Sequence, residues 1–118
     1  MTNTDSLREL IQRVRQFRDE RDWAQFHDPK NLVMALSSEV GELSALLRWV
    51  DNADADSKVR GELRDRFVAE VGDVGILLLG LCDRTGVDLG EAVVAKLVAN
   101  AGAYQIQASS GAAERPTG

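Results

Sequence analysis

Apolar residues recur every three or four positions along almost the whole chain, and this spacing constrains its fold more than any other feature. A period near 3.6 residues places such side chains on one face of an α-helix, whereas a half-buried β-strand needs alternation with a period of two. No segment alternates cleanly with a period of two. The sequence therefore predicts an all-α protein, a four-helix bundle around one core.

The spacing also predicts where the helices lie. The expected ranges are residues 4 or 5 to 22, 30–50, 57–85 and 88–104. Asp88 is expected to cap the last helix and Gly86 to end the third one. Residues 1–106 are predicted to form one domain. Residues 107–118, which are rich in Ser, Gly, Ala and Pro, are expected to be a disordered tail.

The composition limits the cellular compartment and the classes of binding partner that we expect for this protein. Nineteen Asp and Glu against 14 Lys and Arg give a net charge of −5, which argues against nucleic-acid and membrane partners. A single cysteine, Cys82, rules out an internal disulfide and a Cys-based zinc site. Residues 74–82 are too short an apolar run to span a bilayer, and residues 1–10 are too polar for a signal peptide. These features predict a soluble protein of the cytoplasm.

Two pairs of acids lie within the apolar pattern. They are Glu39 with Glu42 and Glu70 with Asp73, each spaced so that both members share a helical face. Glu39 and Glu70 fall within the apolar stripes of their predicted helices, not on the polar faces. An unpaired carboxylate in such a position costs several kcal/mol, so it needs a partner or must lose its charge. The pattern therefore predicts that the acids share a positively charged partner.

Two kinds of partner are open for these acids. One is buried ion pairing with arginines near the inner ends of the helices, namely Arg48, Arg60, Arg64 and Arg66. The other is a divalent cation, and an all-carboxylate set points to Mg²⁺ or Mn²⁺ rather than zinc. A ferritin-like di-iron site is excluded, because it needs Glu-x-x-His on two helices and the single His27 belongs to neither pair.

With its two acidic pairs on consecutive helices, the chain resembles the MazG-like nucleoside triphosphate pyrophosphohydrolases. The wider match, over about residues 10–104, is to the dCTP pyrophosphatase branch. The residues that carry it include Glu20-Arg21-Asp22-Trp23, Gln25-Phe26-His27, Pro29, Asn31-Leu32, Trp49, Val87-Asp88-Leu89, Lys96, Asn100 and Tyr104. The resemblance implies an all-α oligomer. It also implies Mg²⁺-dependent cleavage of a nucleoside triphosphate to the monophosphate and pyrophosphate.

The resemblance assigns roles residue by residue. Glu39, Glu42, Glu70 and Asp73 are the expected Mg²⁺ ligands and catalytic residues, and Trp23, Phe26, His27 and Trp49 are expected to enclose a pyrimidine base. Lys96, Asn100 and Tyr104 are expected to complete substrate binding, with Lys96 meeting phosphate charge. Core packing for the aromatic residues and a solvated face for Lys96 and Asn100 remain the alternatives.

Three positions depart from the pattern of the branch. Ala69 precedes Glu70 where members commonly have a second acid, and Leu77 stands where a tyrosine is common. The residues after Asn100 lack the usual Arg and Pro. The expected substrate is a deoxycytidine-type triphosphate, preferred by a modest margin.

Two further expectations concern the oligomeric state and an alternative function. Residues 74–82 are apolar on nearly every side, which predicts a homo-oligomer, either a dimer or a tetramer. The alternative function is a helical interaction or regulatory module that keeps the fold without turnover.

Overall fold

The computed structural model describes residues 6–103, except for the side chain of Phe26, and the regular structure of that part is helical throughout. The α-helices are α1 (Leu7–Glu20), α2 (Pro29–Leu47), α3 (Ala55–Arg60), α4 (Arg64–Thr85) and α5 (Leu89–Ala103). Short 3₁₀ turns span Ala24–Phe26 and Asn52–Asp54. The all-α prediction is confirmed. The number of helices differs from the prediction, because the described residues form five α-helices and not four.

Side-chain caps fix where the first two helices begin. The Ser6 hydroxyl accepts the backbone N–H of Glu9 at 3.4 Å, so α1 begins at Leu7. The predicted start at residue 4 or 5 is therefore wrong, and those two residues lie outside the described part. Asp28 caps α2 by accepting the backbone N–H of Asn31 at 2.9 Å. Such caps satisfy N–H groups that have no partner within the helix.

The predicted boundary between the last two helices is confirmed. Gly86 ends α4 in the left-handed conformation (φ 71°), which glycine adopts without steric cost. The Asp88 carboxylate then accepts the backbone N–H of Glu91 at 2.9 Å and caps α5.

The single helix predicted over residues 57–85 is wrong, because the chain breaks at Gly61. The backbone N–H groups of Gly61 and Leu63 both donate to the carbonyl oxygen of Lys58, at 3.2 and 2.9 Å, and this closes α3. A Cβ on Gly61 would lie 3.0 Å from the carbonyl oxygen of Ser57, closer than most real Cβ contacts. The break therefore favours glycine at this position.

The chain divides into two compact units, Met1–Gly86 and Val87–Gly118, and each is described by itself. In the first unit α4 is the central helix, since α1, α2 and α3 all pack against it. Its described core includes Leu32, Leu79, Gly80 and Cys82. In the second unit α5 is the described helix. Within residues 6–103 no helix combines the length and the apolar content that a membrane span requires.

We expect Leu32 to contribute far more to stability than its neighbour Val33. Leu32 is 2% exposed and Val33 is 50% exposed. Because truncation of a buried leucine removes apolar contacts and leaves a cavity, Leu32→Ala should lower the free energy of unfolding by about 2–5 kcal/mol. Val33→Ala is the matched control and should change it by less than ~1 kcal/mol. Urea unfolding followed by circular dichroism measures both, and equal losses would contradict the assignment of Leu32 to the core.

Candidate metal centre and adjoining pocket

Three of the four predicted carboxylates meet between α2 and α4. One oxygen each of Glu39, Glu70 and Asp73 lies within 4.8 Å of the other two. Glu39 and Glu70 are half-buried, whereas Asp73 is exposed. Residues 70 and 73 share a helical face of α4, and α2 packs along that helix, so Glu39 is placed opposite them. We call these three residues the acidic cluster.

Glu42, the fourth predicted acid, lies one turn beyond Glu39 on α2. Its side chain is exposed, and it does not belong to the group whose oxygens converge within 4.8 Å. Its negative charge nevertheless contributes to raising the pKa of Glu39. Glu42 is therefore a neighbour of the acidic cluster in this structure rather than one of its members.

Burial and negative charge act together on Glu39. Removal from water raises the pKa of its carboxyl group, and the charges of Asp73 and Glu70 raise that pKa further. A hydrogen bond with Glu70 acts in the same direction. Within residues 6–103, no Lys or Arg forms an ion pair with any of the four acids. The alternative in which arginines neutralise them therefore finds no support in the described part of the chain.

The residues of the acidic cluster fit a divalent cation. Oxygen Oε2 of Glu70 is buried and accepts no hydrogen bond from the described residues. Mg²⁺ binds carboxylate oxygens at ~2.0–2.1 Å, so two oxygens on one ion lie ~3–4 Å apart. Oxygens that already lie within 4.8 Å of one another need only small side-chain rotations to reach that spacing. The donor set, which is carboxylate alone, is also the one that Mg²⁺ and Mn²⁺ prefer.

A largely apolar pocket of about 180 Å³ adjoins this part of the helix pair. Its lining residues are Val14, Phe17, Arg18, Trp23, His27, Leu32, Ile76, Leu77 and Gly80. In another protein, an apolar cavity of ~150 Å³ holds one benzene molecule. The pocket is therefore large enough for a single six-membered ring. It contains Trp23 and His27, which the resemblance assigns to base binding.

Aromatic contacts stabilise the part of the pocket wall that is formed by the segment after α1. Trp23 packs edge-on against Phe17, with ring centroids 5.6 Å apart, and its indole lies 6.4 Å from the His27 ring. The guanidinium of Arg21 covers the Phe17 ring at 3.6 Å. Asp22 adopts a left-handed conformation (φ 54°), which directs the chain from α1 into the Trp23 segment. The short turn after α1 thus presents the Trp23 and His27 rings to the pocket.

The pocket and the acidic cluster lie along the same two helices. On α4, Leu77 follows Asp73 by one turn, and on α2, Leu32 precedes Glu39 by two turns. At 1.5 Å of rise per residue, these separations are ~6 and ~10 Å along the helix axes. The pocket and the acidic cluster are therefore one to two helical turns apart along both helices.

The remaining predicted substrate residues are described one by one. Trp49 follows the end of α2, is 88% exposed and does not line the pocket. Lys96 is exposed and Asn100 is half-buried on α5, in the second unit. Tyr104 and the Phe26 side chain lie outside the described part. Sequence reasoning did not place Arg18 in the pocket, and no local pattern indicates this position.

Comparison with known proteins identifies several relatives of the chain. The chain matches no protein-family model. It is 40% identical over 99 residues to rat dCTP pyrophosphatase 1, which covers 83% of this chain and 58% of the rat protein. It is 41% identical over 92 residues to the human dCTP pyrophosphatase 1, covering 75% of this chain and 53% of that protein. The chain thus spans a little over half the length of these curated relatives.

A solved structure matches over almost its whole length. A pyrophosphatase from Archaeoglobus fulgidus superimposes with a TM-score of 0.79 and 34% identity, covering 89% of this chain and 96% of the archaeal one. The fold is thus that of an all-α pyrophosphatase. Together with the curated relatives, this shows that the chain belongs to the MazG-like nucleoside triphosphate pyrophosphohydrolase family, as its resemblance predicts.

We expect the acidic cluster to destabilise the metal-free protein. Glu39→Gln removes one negative charge, and the new amide can donate a hydrogen bond to Glu70, so in EDTA this variant should melt several degrees above wild type. Glu62→Gln is the control, because Glu62 pairs with Lys58 outside the cluster and its loss should leave the melting temperature unchanged or slightly lower. A lower melting temperature for Glu39→Gln would show that the carboxylates do not repel one another.

Proposed function

We propose that this protein is a Mg²⁺-dependent nucleoside triphosphate pyrophosphohydrolase, with Mn²⁺ as an alternative ion. The proposed substrate is a dCTP-like nucleotide, cleaved to the monophosphate and pyrophosphate in the clearance of unwanted nucleotides in the cytoplasm. The observation that carries the proposal is the position of the acidic cluster. Three carboxylates, one with a buried oxygen that has no hydrogen-bond partner among residues 6–103, lie beside a pocket that fits one ring.

The chemical roles follow from the charges. Glu39, Glu70 and Asp73 would hold the cation, and Glu42 is proposed as a further ligand on the resemblance. A divalent cation held by these residues would neutralise phosphate charge and lower the pKa of a water molecule that attacks phosphorus. One carboxylate accepts the proton that the attacking water loses. The low exposure of Glu70 Oε2 keeps bulk water away from one ligand position.

The pocket supports a pyrimidine base as the ring that binds. Trp23 offers a stacking surface, and one contact between a base and an aromatic side chain contributes ~1–3 kcal/mol. The rat and human relatives are named for dCTP, which carries a single-ring base. Trp49, Lys96, Asn100 and Tyr104 remain proposed substrate-binding residues on the resemblance alone. Leu77 contributes an apolar side chain to the wall of the pocket.

Activity should depend on Mg²⁺ and on Glu70. Pyrophosphate release from dCTP, dTTP, dATP and dGTP is measured with Mg²⁺ and with EDTA, and dCTP with Mg²⁺ should be hydrolysed fastest. Glu70→Gln keeps the volume but loses a charged ligand, so kcat/KM should fall by ~100-fold or more while the circular dichroism spectrum is unchanged. Glu62→Gln is the matched control and should retain activity.

Three results would contradict this proposal. If no nucleoside triphosphate yields pyrophosphate with either ion, the chain is instead the non-catalytic helical module. If hydrolysis continues in EDTA, or in Glu70→Gln at more than about one tenth of the wild-type rate, the acidic cluster is not the metal centre.

A homo-oligomer, dimer or tetramer, is also proposed. Apolar side chains on α2 and α4 are exposed in the single chain, among them Met34, Val68, Val71 and Ile76. Gly72 and Gly75 lie on the same helix, and a Cβ on either would meet nothing within 4 Å. Exposed apolar patches of this kind mark interfaces, and the interfaces of obligate oligomers resemble a divided core.

We expect the mass in solution to be a multiple of 12.9 kDa. Val68→Glu places a charge on the exposed apolar face of α4 and should shift the protein toward the monomer, because burial of an unpaired charge is costly. Arg66→Gln, on the same helix, changes the net charge by the same amount and is the control. Light scattering at micromolar concentration measures both, and a wild-type mass of 12.9 kDa would contradict the oligomer.

A further inference from the structure

Two helices supply most of the pocket wall. The residues from α1 are Val14, Phe17 and Arg18, and those from α4 are Ile76, Leu77 and Gly80. No side chain of α1 is fully buried, whereas α4 contains the buried residues Leu79, Gly80 and Cys82. Because apolar burial is the main source of stability, the α1 wall is held less firmly by packing than the α4 wall.

The two walls come close together at Gly80. A Cβ on this residue would lie 3.9 Å from Cγ1 of Val14, an ordinary van der Waals distance, so α1 lies directly against α4 here. Asp83 follows Gly80 by about one turn of α4. It therefore lies beside the contact that separates the two walls of the pocket.

Asp83 joins α1 to α4 through two arginines. Its side chain is 10% exposed. Its Oδ1 accepts a hydrogen bond from Nε of Arg15 at 3.0 Å, and its Oδ2 accepts one from Nη1 of Arg18 at 3.2 Å. Both donors belong to α1 and precede Asp83 by more than 60 residues in sequence. We call Arg15, Arg18 and Asp83 the Asp83 clamp.

The Asp83 clamp is ionic at neutral pH. The hydrogen bond from Arg15 is the main reason that the pKa of Asp83 lies below its usual range, so this carboxylate is ionised. Hydrogen bonds between charged groups are about twice as strong as those between neutral groups. The clamp therefore adds to the weak apolar packing of α1 at the position where α1 forms the pocket.

Arg18 links the Asp83 clamp to the pocket wall. Its guanidinium is directed to Asp83 and, through Nε at 3.2 Å, to Oδ1 of Asp19. The pocket lining is almost wholly apolar, so Arg18 contributes its hydrocarbon stem to the wall and not its charge. Asp19 lies on α1 beside Arg18 and is 56% exposed, so it forms no link between the two helices.

We propose that Asp83 is a positioning residue, which fixes the width of the pocket by holding α1 against α4. The inference rests on the proposed function, in which this pocket takes the base. Asp83 is not among the described residues that line the pocket, and it follows Asp73 by ten residues, ~15 Å along α4. It thus contacts neither the ring nor the acidic cluster, and its loss should weaken substrate binding without slowing the chemical step.

The test compares Asp83 with a second acid that pairs with the same arginine. Asp83→Asn keeps the volume of the side chain and removes the charge that joins the helices. Asp19→Asn removes the other carboxylate on Arg18 and leaves the link to α4 intact. Leu79→Ala is the control for lost stability, because Leu79 is 9% exposed and does not line the pocket.

Two properties are measured for each variant below its melting transition. They are kcat and KM for dCTP with Mg²⁺, and the affinity for dCMP by calorimetry in metal-free buffer. Asp83→Asn should raise KM and the Kd for dCMP by about 10-fold and change kcat by less than about 2-fold, because a loosened wall must be ordered when the ring binds. Asp19→Asn and Leu79→Ala should keep all three values within about 2-fold of wild type.

A second variant covers the case in which Asp83→Asn does not fold. Arg15→Gln removes one hydrogen bond to Asp83 from a side chain that is 51% exposed and does not line the pocket. A rise in KM from this substitution must pass through Asp83 and α1. We expect the same pattern as for Asp83→Asn, with a KM increase of about 3-fold or more.

Tryptophan fluorescence tests the wall without any nucleotide. The chain has two tryptophans, so Trp49→Phe leaves Trp23 in the pocket as the single fluorophore. In that background, Asp83→Asn should raise the quenching constant of acrylamide by about 1.5-fold or more, since loosening of α1 exposes the indole face that lines the pocket. Asp19→Asn should leave the constant unchanged.

The proposal is overturned if Asp83→Asn, or Arg15→Gln in its place, has the wild-type KM. It is also overturned if Asp19→Asn or Leu79→Ala raises KM as much, because charge on Arg18 or stability alone would then explain the effect. Failure of the proposed function has a different signature, in which the wild-type protein releases no pyrophosphate from any nucleotide. Acrylamide quenching then decides, and equal constants for Asp83→Asn and Asp19→Asn would show that Asp83 does not hold the wall.

Discussion

The meeting of three carboxylates at the contact of α2 with α4 is the constraint that the surrounding packing has to accommodate. Glu39 lies opposite Glu70 and Asp73 because the two helices pack along each other, and burial disfavours the charged form of Glu39 still further. Apolar packing must offset this cost before a cation arrives, and Leu32 on the same helix supplies part of it. Stability is thus reduced at the place where binding of the proposed cation would restore it.

The fold was predictable where local chemistry determines it. The period of three to four residues indicated the helical class, and Asp88 and Gly86 marked a helix start and a helix end because cap and left-handed positions have strong residue preferences. The break at Gly61 was not predicted. It depends on the carbonyl of Lys58 accepting two N–H groups, a competition that hydrophobic spacing does not reveal. A glycine inside an apolar pattern was ambiguous between a tolerated residue and a break.

Part of the candidate site was also predictable, because a charged group is costly to bury. An acid on the apolar stripe of a helix is costly in isolation, so the helical spacing alone singled out Glu39 and Glu70. The same rule applies to Asp83, which follows buried Cys82 on α4, but its partners Arg15 and Arg18 lie more than 60 residues away in sequence. Helical spacing shows which face a residue occupies and not which other helix covers it. Long-range ion pairs are therefore beyond what the spacing can predict.

In the proposed function, two different kinds of residue govern the chemistry and the selection of substrate. The acidic cluster requires carboxylates at fixed positions on α2 and α4, because a cation needs charged oxygens at a set spacing. The pocket needs only a ring-sized volume and suitable edge contacts, which α1 and the Trp23 segment provide together with those helices. A change at Val14, Arg18 or Leu77 can therefore alter which ring fits without moving a metal ligand. In the proposed function, selectivity and hydrolysis are therefore physically separable on one helix pair, because no pocket-lining residue belongs to the acidic cluster.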